Sequence, residues 1–271
     1  MANKIFISAQ NQKKVYLNIT GDNNTVIVKD FSESSIGNLV VSLCGNNCSI
    51  VIDANVHIGG NLNIYVGQIH PNFGMVENVH IYIGKYTSFE STNIITYNSN
   101  SSVEIGDRCM FSYGIVLYNT DAHPIFDADS GNIINSVRKL QIGNHVWIGA
   151  NATILKNTVI SDGCIVGMGS IVNSHYAPTP NSKSIIAGNP AKIVKSNIVW
   201  DANGSKGYIQ NANEKSLISQ QAIATIKETV FFEDTKETVP LKDTYVKRQK
   251  PKKLLKKISY KIWKHLNKKF G

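Results

Sequence analysis

The stretch IGNHVWIGANATILKNTVISDGCIVGMGSIV, residues 142–172, carries an aliphatic residue at every sixth position. These aliphatic residues are Ile142, Ile148, Ile154, Ile160, Val166 and Val172. A small or β-branched residue follows four positions after each of the first five, namely Val146, Ala152, Thr158, Cys164 and Ser170. An α-helix needs a period of about 3.6 residues, so a sustained six-residue period excludes a helix and indicates an internal repeat.

The same period continues towards the N-terminus, with interruptions. It fits three upstream sets: Ile105, Phe111 and Leu117; Ile83, Phe89 and Ile95; and Ile52, Ile58 and Ile64. The segments GDNNTVIV (21–28) and GNNCSIVID (45–53) look like copies of one turn-and-strand unit. The chain also contains 30 Asn, and both Asn and Gly tolerate the left-handed backbone of tight corners. Short strands joined by such corners predict an all-β solenoid whose coils bury each other's aliphatic rows.

The positive charge of the chain is concentrated at its C-terminus. The 271 residues carry a formal charge of +9, yet residues 1–240 hold 16 Lys and Arg against 18 Asp and Glu. Residues 241–271 hold 12 Lys and Arg against a single Asp, so the basic composition describes this segment and does not indicate a nucleic-acid partner. We find no secretory signal, no apolar run long enough to span a bilayer and no zinc pattern among the four cysteines, and we therefore expect a cytoplasmic protein.

The repeat, followed by IIAGNPAKIVK at 185–195, resembles the hexapeptide-repeat acyltransferases, in particular the sugar and surface-polysaccharide O-acetyltransferases. The resemblance is specific over residues 103–199 and does not extend beyond about residue 200. It implies a left-handed parallel β-helix over residues 1–200, triangular in section, which forms a homotrimer with active sites between subunits. The expected remainder is a linker with a capping helix (201–240) and a basic amphipathic helix (241–271).

The repeat is interrupted by a polar loop at about residues 118–141. Loops of this length are uncommon in compact domains unless they are functional. The loop contains Asp121, His123 and Pro124. A sugar hydroxyl needs a general base to attack a thioester, and histidine has a suitable pKa. The resemblance therefore assigns His123 as the catalytic base, in a direct transfer without an acyl-enzyme. Asp121 either orients the imidazole or ends the coil.

The resemblance also implies acetyl-CoA as the co-substrate, with no metal. The residues that it assigns to acetyl-CoA are Trp147, Ala150, Met168, Gly169, Ser174, Lys192 and Lys195, the two lysines serving the 3′-phosphate. A packing role for Trp147, and a role of AGNPAK as a mere closing turn, remain open. Asn93 is the candidate acceptor-binding residue, and the acceptor is expected to be a saccharide.

Three alternatives remain open from the residues. The first is an N-acetyltransferase that acts on an amino sugar. The second is a γ-type carbonic anhydrase, which would need three histidine ligands where the repeat offers His145 alone in phase. The third is a non-catalytic solenoid scaffold at the membrane. We interpret His145 as an outward-facing residue, and Cys109 and Cys164 as core residues rather than nucleophiles.

The C-terminal segment has the pattern of a helix that binds a membrane surface. An apolar residue recurs every fourth position, at Leu254, Ile258, Ile262, Leu266 and Phe270. Trp263 and many lysines accompany this stripe, which is typical of an interfacial amphipathic helix. We expect residues 251–270 to bind an anionic membrane surface. Two alternatives remain open: the stripe packs against the solenoid, or the segment is a solubilising tail.

Overall fold

A computed structural model of the chain describes residues 1–67, 74–173 and 183–202. Within these residues the chain forms twenty β-strands and one short 3-10 helix, Ala9–Asn11. The predicted capping helix (201–240) lies outside the described residues from position 203 onward, and so does the whole predicted basic helix (241–271). Ser174 also lies outside the described residues.

The strands stack into three faces, and each face gathers one strand from each successive turn of the chain. The first face contains β1 (Lys4–Ile7), β3 (Thr25–Val28), β5 (Ser49–Ile52), β8 (His80–Ile83), β10 (Ser102–Ile105), β13 (Lys139–Ile142) and β16 (Val159–Ile160). Every pairing in this face is parallel and in register, for example Ile105 beside Ile142 and Ile142 beside Ile160. These last two partners are eighteen residues apart, which is three hexapeptides per coil.

The other two faces belong to one sheet that bends where β6 (His57–Val66) and β9 (Ser88–Thr96) cross a corner. The second face contains the first residues of β6 and β9, followed by β11 (Met110–Phe111), β14 (Trp147–Ile148), β17 (Ile165–Val166) and β19 (Ser184–Gly188). The third face contains β2 (Val15–Thr20), β4 (Asn38–Asn46), the remainder of β6 and β9, β12 (Ile115–Tyr118), β15 (Thr153–Leu155) and β18 (Ile171–Val172). β7 (Val76–Glu77) pairs with the end of β4, and β20 (Ala191–Ser196) runs antiparallel to β19.

The aliphatic rows predicted from the sequence form the interior. All six residues from Ile142 to Val172 at the sixth positions are at most 1% exposed, and so are the five intervening small residues. Phe111 is fully buried and stacks on Phe89 of the preceding coil, with ring centroids 4.7 Å apart. The coils therefore hold together by burying a continuous apolar core, as the solenoid prediction requires.

One predicted row position is wrong by a single residue. Ile94, not Ile95, aligns with Leu117 and Ile64 in the inward row of the third face. Ile95 instead pairs with Tyr118 and Tyr65 on the outer side of that face. The strand β9 turns the corner within itself, so the interval after Phe89 is five residues and the six-residue count fails there.

The corner between the third and first faces is built from asparagine in the left-handed backbone region. Five residues there have φ between 54° and 59°: Asn23, Asn47, Asn78, Asn100 and Asn157. Their side chains connect successive coils, as in the bonds from Asn23 Nδ2 to Asn47 Oδ1 (2.6 Å) and from Asn78 Nδ2 to Asn100 Oδ1 (2.9 Å). The predicted use of Asn at tight corners is confirmed.

Cys109 and Cys164 fill small inward positions of the core. Both are at most 1% exposed, and neither forms a disulfide. Burial raises the pKa of the Cys109 thiol to about 12 and also raises that of Cys164. A buried thiol with a raised pKa does not supply a thiolate nucleophile, which agrees with the core interpretation.

Candidate active site

The interruption of the repeat occupies residues 119–138, between β12 and β13, at the corner where asparagine turns the other coils. Its outer part is a hairpin in which Phe126 and Ile133 form an antiparallel bridge and Ile134 N donates to Ile125 O at 2.9 Å. Asp127 closes the tip by accepting bonds from the Ser130 amide and hydroxyl, both at 2.8 Å. These hydrogen bonds hold the pKa of the exposed Asp127 carboxyl below its usual value.

A cleft of about 360 Å³ opens where the hairpin leaves the β-helix. Residues that line it include Asn98, Asp121, His123, Pro124, Ile133 and Asn135. The cleft thus brings together the two predicted catalytic residues, His123 and Asp121. Both are solvent-exposed.

Hydrogen bonds fix the turn that carries His123. Thr120 Oγ1 donates to Asn98 Oδ1 at 2.7 Å and accepts from Ala122 N at 2.9 Å. Ala122 has φ of 62°, and the His123 amide donates to Asp121 O at 2.7 Å. The histidine therefore stands on a tight local turn rather than on a loose loop segment.

Two residues at this site were not identified from the sequence, Asn135 and Lys156. Asn135 Nδ2 donates to Asp121 Oδ2 at 2.8 Å and to His123 O at 2.9 Å. Lys156 Nζ lies 2.8 Å from the same Asp121 oxygen. Asn135 lies in the insertion, and Lys156 occupies a repeat position that the six-residue period does not specify, so no sequence signal points to them.

The candidate acetyl-CoA residues lie on other parts of the β-helix. Ala150 and Gly169 stack at the corner between the second and third faces, where Gly169 N donates to Ala150 O at 2.8 Å. Met168, beside them, is 76% exposed. Trp147 lies in β14 on the second face, with Nε1 at 3.5 Å from Ser112 Oγ.

Lys192 and Lys195 lie on β20, the antiparallel strand at the end of the second face. Both are exposed, and neither forms a salt bridge with another described residue. Ala191, at the start of the same strand, is fully buried and fixes the strand to the core. The two ammonium groups are thus available to an anionic ligand.

His145 has an aromatic partner that the sequence did not reveal. Trp200 stacks on its imidazole with ring centroids 4.1 Å apart and planes 4° apart, and Trp200 Nε1 donates to His145 O at 3.1 Å. Trp200 also lies tilted against Trp147, 5.9 Å between centroids. The stacking on His145 spans fifty-five positions of the chain, and the tilted contact gives the half-buried Trp147 a packing partner.

Asn93 lies on the outer side of the third face, in register with Val116. Its Oδ1 accepts a bond from Asn63 Nδ2 at 2.9 Å. His123 and Asp121 lie at the corner between the third and first faces, whereas the acetyl-CoA candidates that the structure describes lie along the second face and its border with the third. A single chain therefore does not bring the two predicted groups together.

Two further properties of the described residues bear on function. Among residues 1–67, 74–173 and 183–202, no group of three or more His, Cys, Asp or Glu side chains is placed to hold a metal ion. In that same part of the chain, no helix has the length and apolar character needed to cross a bilayer.

Comparison with known proteins adds family relationships to this geometry. Residues 140–174 match the family model described as bacterial transferase hexapeptide (six repeats). The chain is 35% identical over 198 residues to a polysialic acid O-acetyltransferase of Neisseria meningitidis, an alignment that covers 69% of this chain and 89% of that relative.

Two solved structures share the fold. The polySia specific acetyltransferase NeuO superposes with a TM-score of 0.53 at 25% identity and covers 78% of this chain and 100% of its own. The polysialic acid O-acetyltransferase OatWY superposes with a TM-score of 0.50 at 29% identity, and the match covers 80% of this chain and 95% of OatWY. Together with the parallel faces, these matches confirm the predicted left-handed parallel β-helix.

Proposed function

This chain belongs to the bacterial hexapeptide-repeat transferases, in their sugar O-acetyltransferase branch, and from this premise we propose that it transfers acetyl from acetyl-CoA to a hydroxyl of a bacterial surface polysaccharide or its precursor. Its relatives and structural neighbours are acyltransferases, so the chain is an enzyme and the alternative of a non-catalytic scaffold is wrong. The observation that carries the finer proposal is the exposed His123 on a hydrogen-bonded turn in an open cleft.

His123 acts as the general base in this proposal. An imidazole nitrogen accepts the proton of the attacking acceptor hydroxyl while the new ester C–O bond forms and the thioester C–S bond breaks. The same imidazole then returns the proton to the departing CoA sulfur. Because the acceptor attacks the thioester directly, no acyl-enzyme forms and no cysteine nucleophile is needed.

Acetyl-CoA fits the groups that the second face exposes. Ala150 and Gly169 present small residues at a corner, where a pantetheine arm could approach the backbone, and the exposed Met168 lies beside them. Lys192 and Lys195 supply two exposed ammonium groups for the 3′-phosphate, and neither forms a salt bridge within the described part of the chain. We assign Ser174 to the same ligand from its motif position alone.

The working unit in this proposal is a homotrimer with its active sites between subunits. The catalytic residues lie at one corner of the β-helix, and the described acetyl-CoA candidates lie on the second face and its border with the third. His123 of one copy therefore has to meet the acetyl-CoA residues of the next. The outer side of the third face, which carries Asn93 and the half-buried Tyr65 and Tyr118, separates the two groups and is suited to that contact.

The acceptor is proposed to be a polysaccharide because the relative and both structures named above act on polysialic acid. Purified protein with acetyl-CoA is offered polysialic acid, a neutral polysaccharide, free sugars, an amino sugar and lipid-linked oligosaccharides, and products are read by mass spectrometry. We expect acetylation of a polysaccharide or its lipid-linked unit, as an alkali-labile ester. Acetylation of the amino sugar as an alkali-stable amide would establish the N-acetyltransferase alternative, and no acetyl transfer to any acceptor would reject the proposal.

We also propose that the enzyme works at the inner face of the cytoplasmic membrane, held there by residues 251–270. The stripe of Leu254, Ile258, Ile262, Leu266 and Phe270 with surrounding lysines supports this, since each basic residue near an anionic leaflet contributes about 1 kcal/mol. The full chain should float with anionic liposomes and release with salt, and a chain truncated after Pro240 should not float. Flotation that survives truncation, or none by the full chain, would reject membrane binding through this segment.

A further inference from the structure

The corner Lys156–Asn157, in the coil that follows the insertion, holds both stems of the insertion. Lys156 Nζ lies 2.8 Å from Asp121 Oδ2 on the outgoing stem and 3.3 Å from Asn135 O on the returning stem. Asn157 Oδ1 accepts from Arg138 N at 2.8 Å, and its Nδ2 donates to Ser136 O at 2.9 Å. The lysine side chain is only 21% exposed, which is low for a residue that normally keeps its ammonium group in water.

Asn135 connects this corner to the histidine turn. Its carboxamide forms three hydrogen bonds: Nδ2 donates to Asp121 Oδ2 and to His123 O, and Oδ1 accepts from Ile125 N at 2.7 Å. The backbone on both sides of Pro124 is therefore fixed to the carboxylate that pairs with Lys156. Lys156, Asp121 and Asn135 form one connected chain of contacts that ends at His123.

We propose that Lys156 is a positioning residue for the reaction, and that it acts through Asp121 and Asn135 to fix the backbone that carries His123. This rests on the proposed role of His123 as base. Without such cross-links, a twenty-residue insertion keeps many conformations, each with the imidazole in a different place. Displacement of a catalytic group by about 1 Å can cost a hundredfold in rate, so the loss of a contact remote from the reacting atoms can lower kcat. In this arrangement Asp121 links Lys156 to Asn135.

The test compares Lys156→Met with wild type and with two further variants in the full chain. Lys156→Met keeps the length of the side chain but removes the ammonium group, so kcat should fall about tenfold because the His123 turn is less well placed. The KM for acetyl-CoA should stay within about twofold, since the described acetyl-CoA candidates lie along the second face and its border with the third. Lys156→Arg, which retains the charge, should recover most of the lost kcat.

Lys139→Met is the matched control, because Lys139 pairs with Glu104 at 2.7 Å on the neighbouring face without contacting the histidine turn. It should leave kcat unchanged. Hydrogen exchange supplies a readout independent of activity: the amides of Ile125 and Ile134, bonded to Asn135 Oδ1 and Ile125 O, should exchange faster in Lys156→Met and not in Lys139→Met.

Asn135→Ala tests whether the contacts act as a unit. If they do, the double variant Lys156→Met/Asn135→Ala should lose little more kcat than the worse single variant. Wild-type kcat or unchanged exchange in Lys156→Met, or an equal loss in Lys139→Met, would overturn the proposal. A His123→Ala enzyme that retains its turnover would instead reject the proposed base, whatever the exchange rates in Lys156→Met.

Discussion

The corner between the third and first faces is built in two different ways. In five coils an asparagine with φ of 54–59° turns the chain, and its side chain bonds to the neighbouring coil. Between Asn100 and Asn157 the chain instead leaves the β-helix for residues 119–138 and returns. The regular corners repeat from coil to coil, whereas the interrupted corner presents His123 in a cleft and is held by Lys156, Asp121 and Asn135.

The largest expected effect is a difference in the free energy of unfolding between substitutions in the core of the regular coils and substitutions in the hairpin. Phe111→Ala removes a fully buried ring that stacks on Phe89, so the free energy of unfolding should fall by about 3–5 kcal/mol. Phe126→Ala, at an exposed position of the hairpin, should change it by no more than about 0.5 kcal/mol. Urea unfolding of the two variants measures the difference. Equal losses would mean that the hairpin contributes to the core.

A smaller effect concerns ligand binding by the regular part of the chain. Lys192→Ala/Lys195→Ala should weaken CoA binding by about tenfold to a hundredfold through loss of charge-assisted contacts to the 3′-phosphate. Binding of dephospho-CoA, which lacks that phosphate, should change little. Calorimetric titration of both ligands checks this, and similar losses for both would show that the lysines do not recognise the phosphate.

The smallest effect tests the regular corner itself. Asn78→Ala keeps a side chain in the left-handed region at φ of 56° and removes the bond to Asn100, so we expect a loss of about 1–2 kcal/mol in the free energy of unfolding. Asn78→Gly, which adopts this backbone without strain, should lose less. If glycine is as harmful as alanine, the side-chain bond and not the backbone conformation accounts for the preference for asparagine.

The same contrast explains what the sequence predicts and what it does not. The rows from Ile142 to Val172 are predictable because burial imposes a strict period on them. The prediction fails at Ile95, because β9 bends within the strand and the adjacent Ile94 takes the inward position. His123 stands out because it lies in the segment that interrupts the period. Lys156, Asn135 and the stacking of Trp200 on His145 depend on how distant polar segments fold back, which no local period encodes.

The central claim is that the interrupted corner supplies the base while the regular coils supply the scaffold. It is tested most directly by steady-state acetyl transfer to the best polysaccharide acceptor by wild type and His123→Ala, with thermal unfolding and acetyl-CoA affinity measured on the same samples. We predict that kcat falls by about 10²–10⁴-fold, with unfolding temperature and affinity almost unchanged. A His123→Ala enzyme that keeps more than about a tenth of wild-type turnover would contradict the claim, because one positioned base contributes at least about a hundredfold.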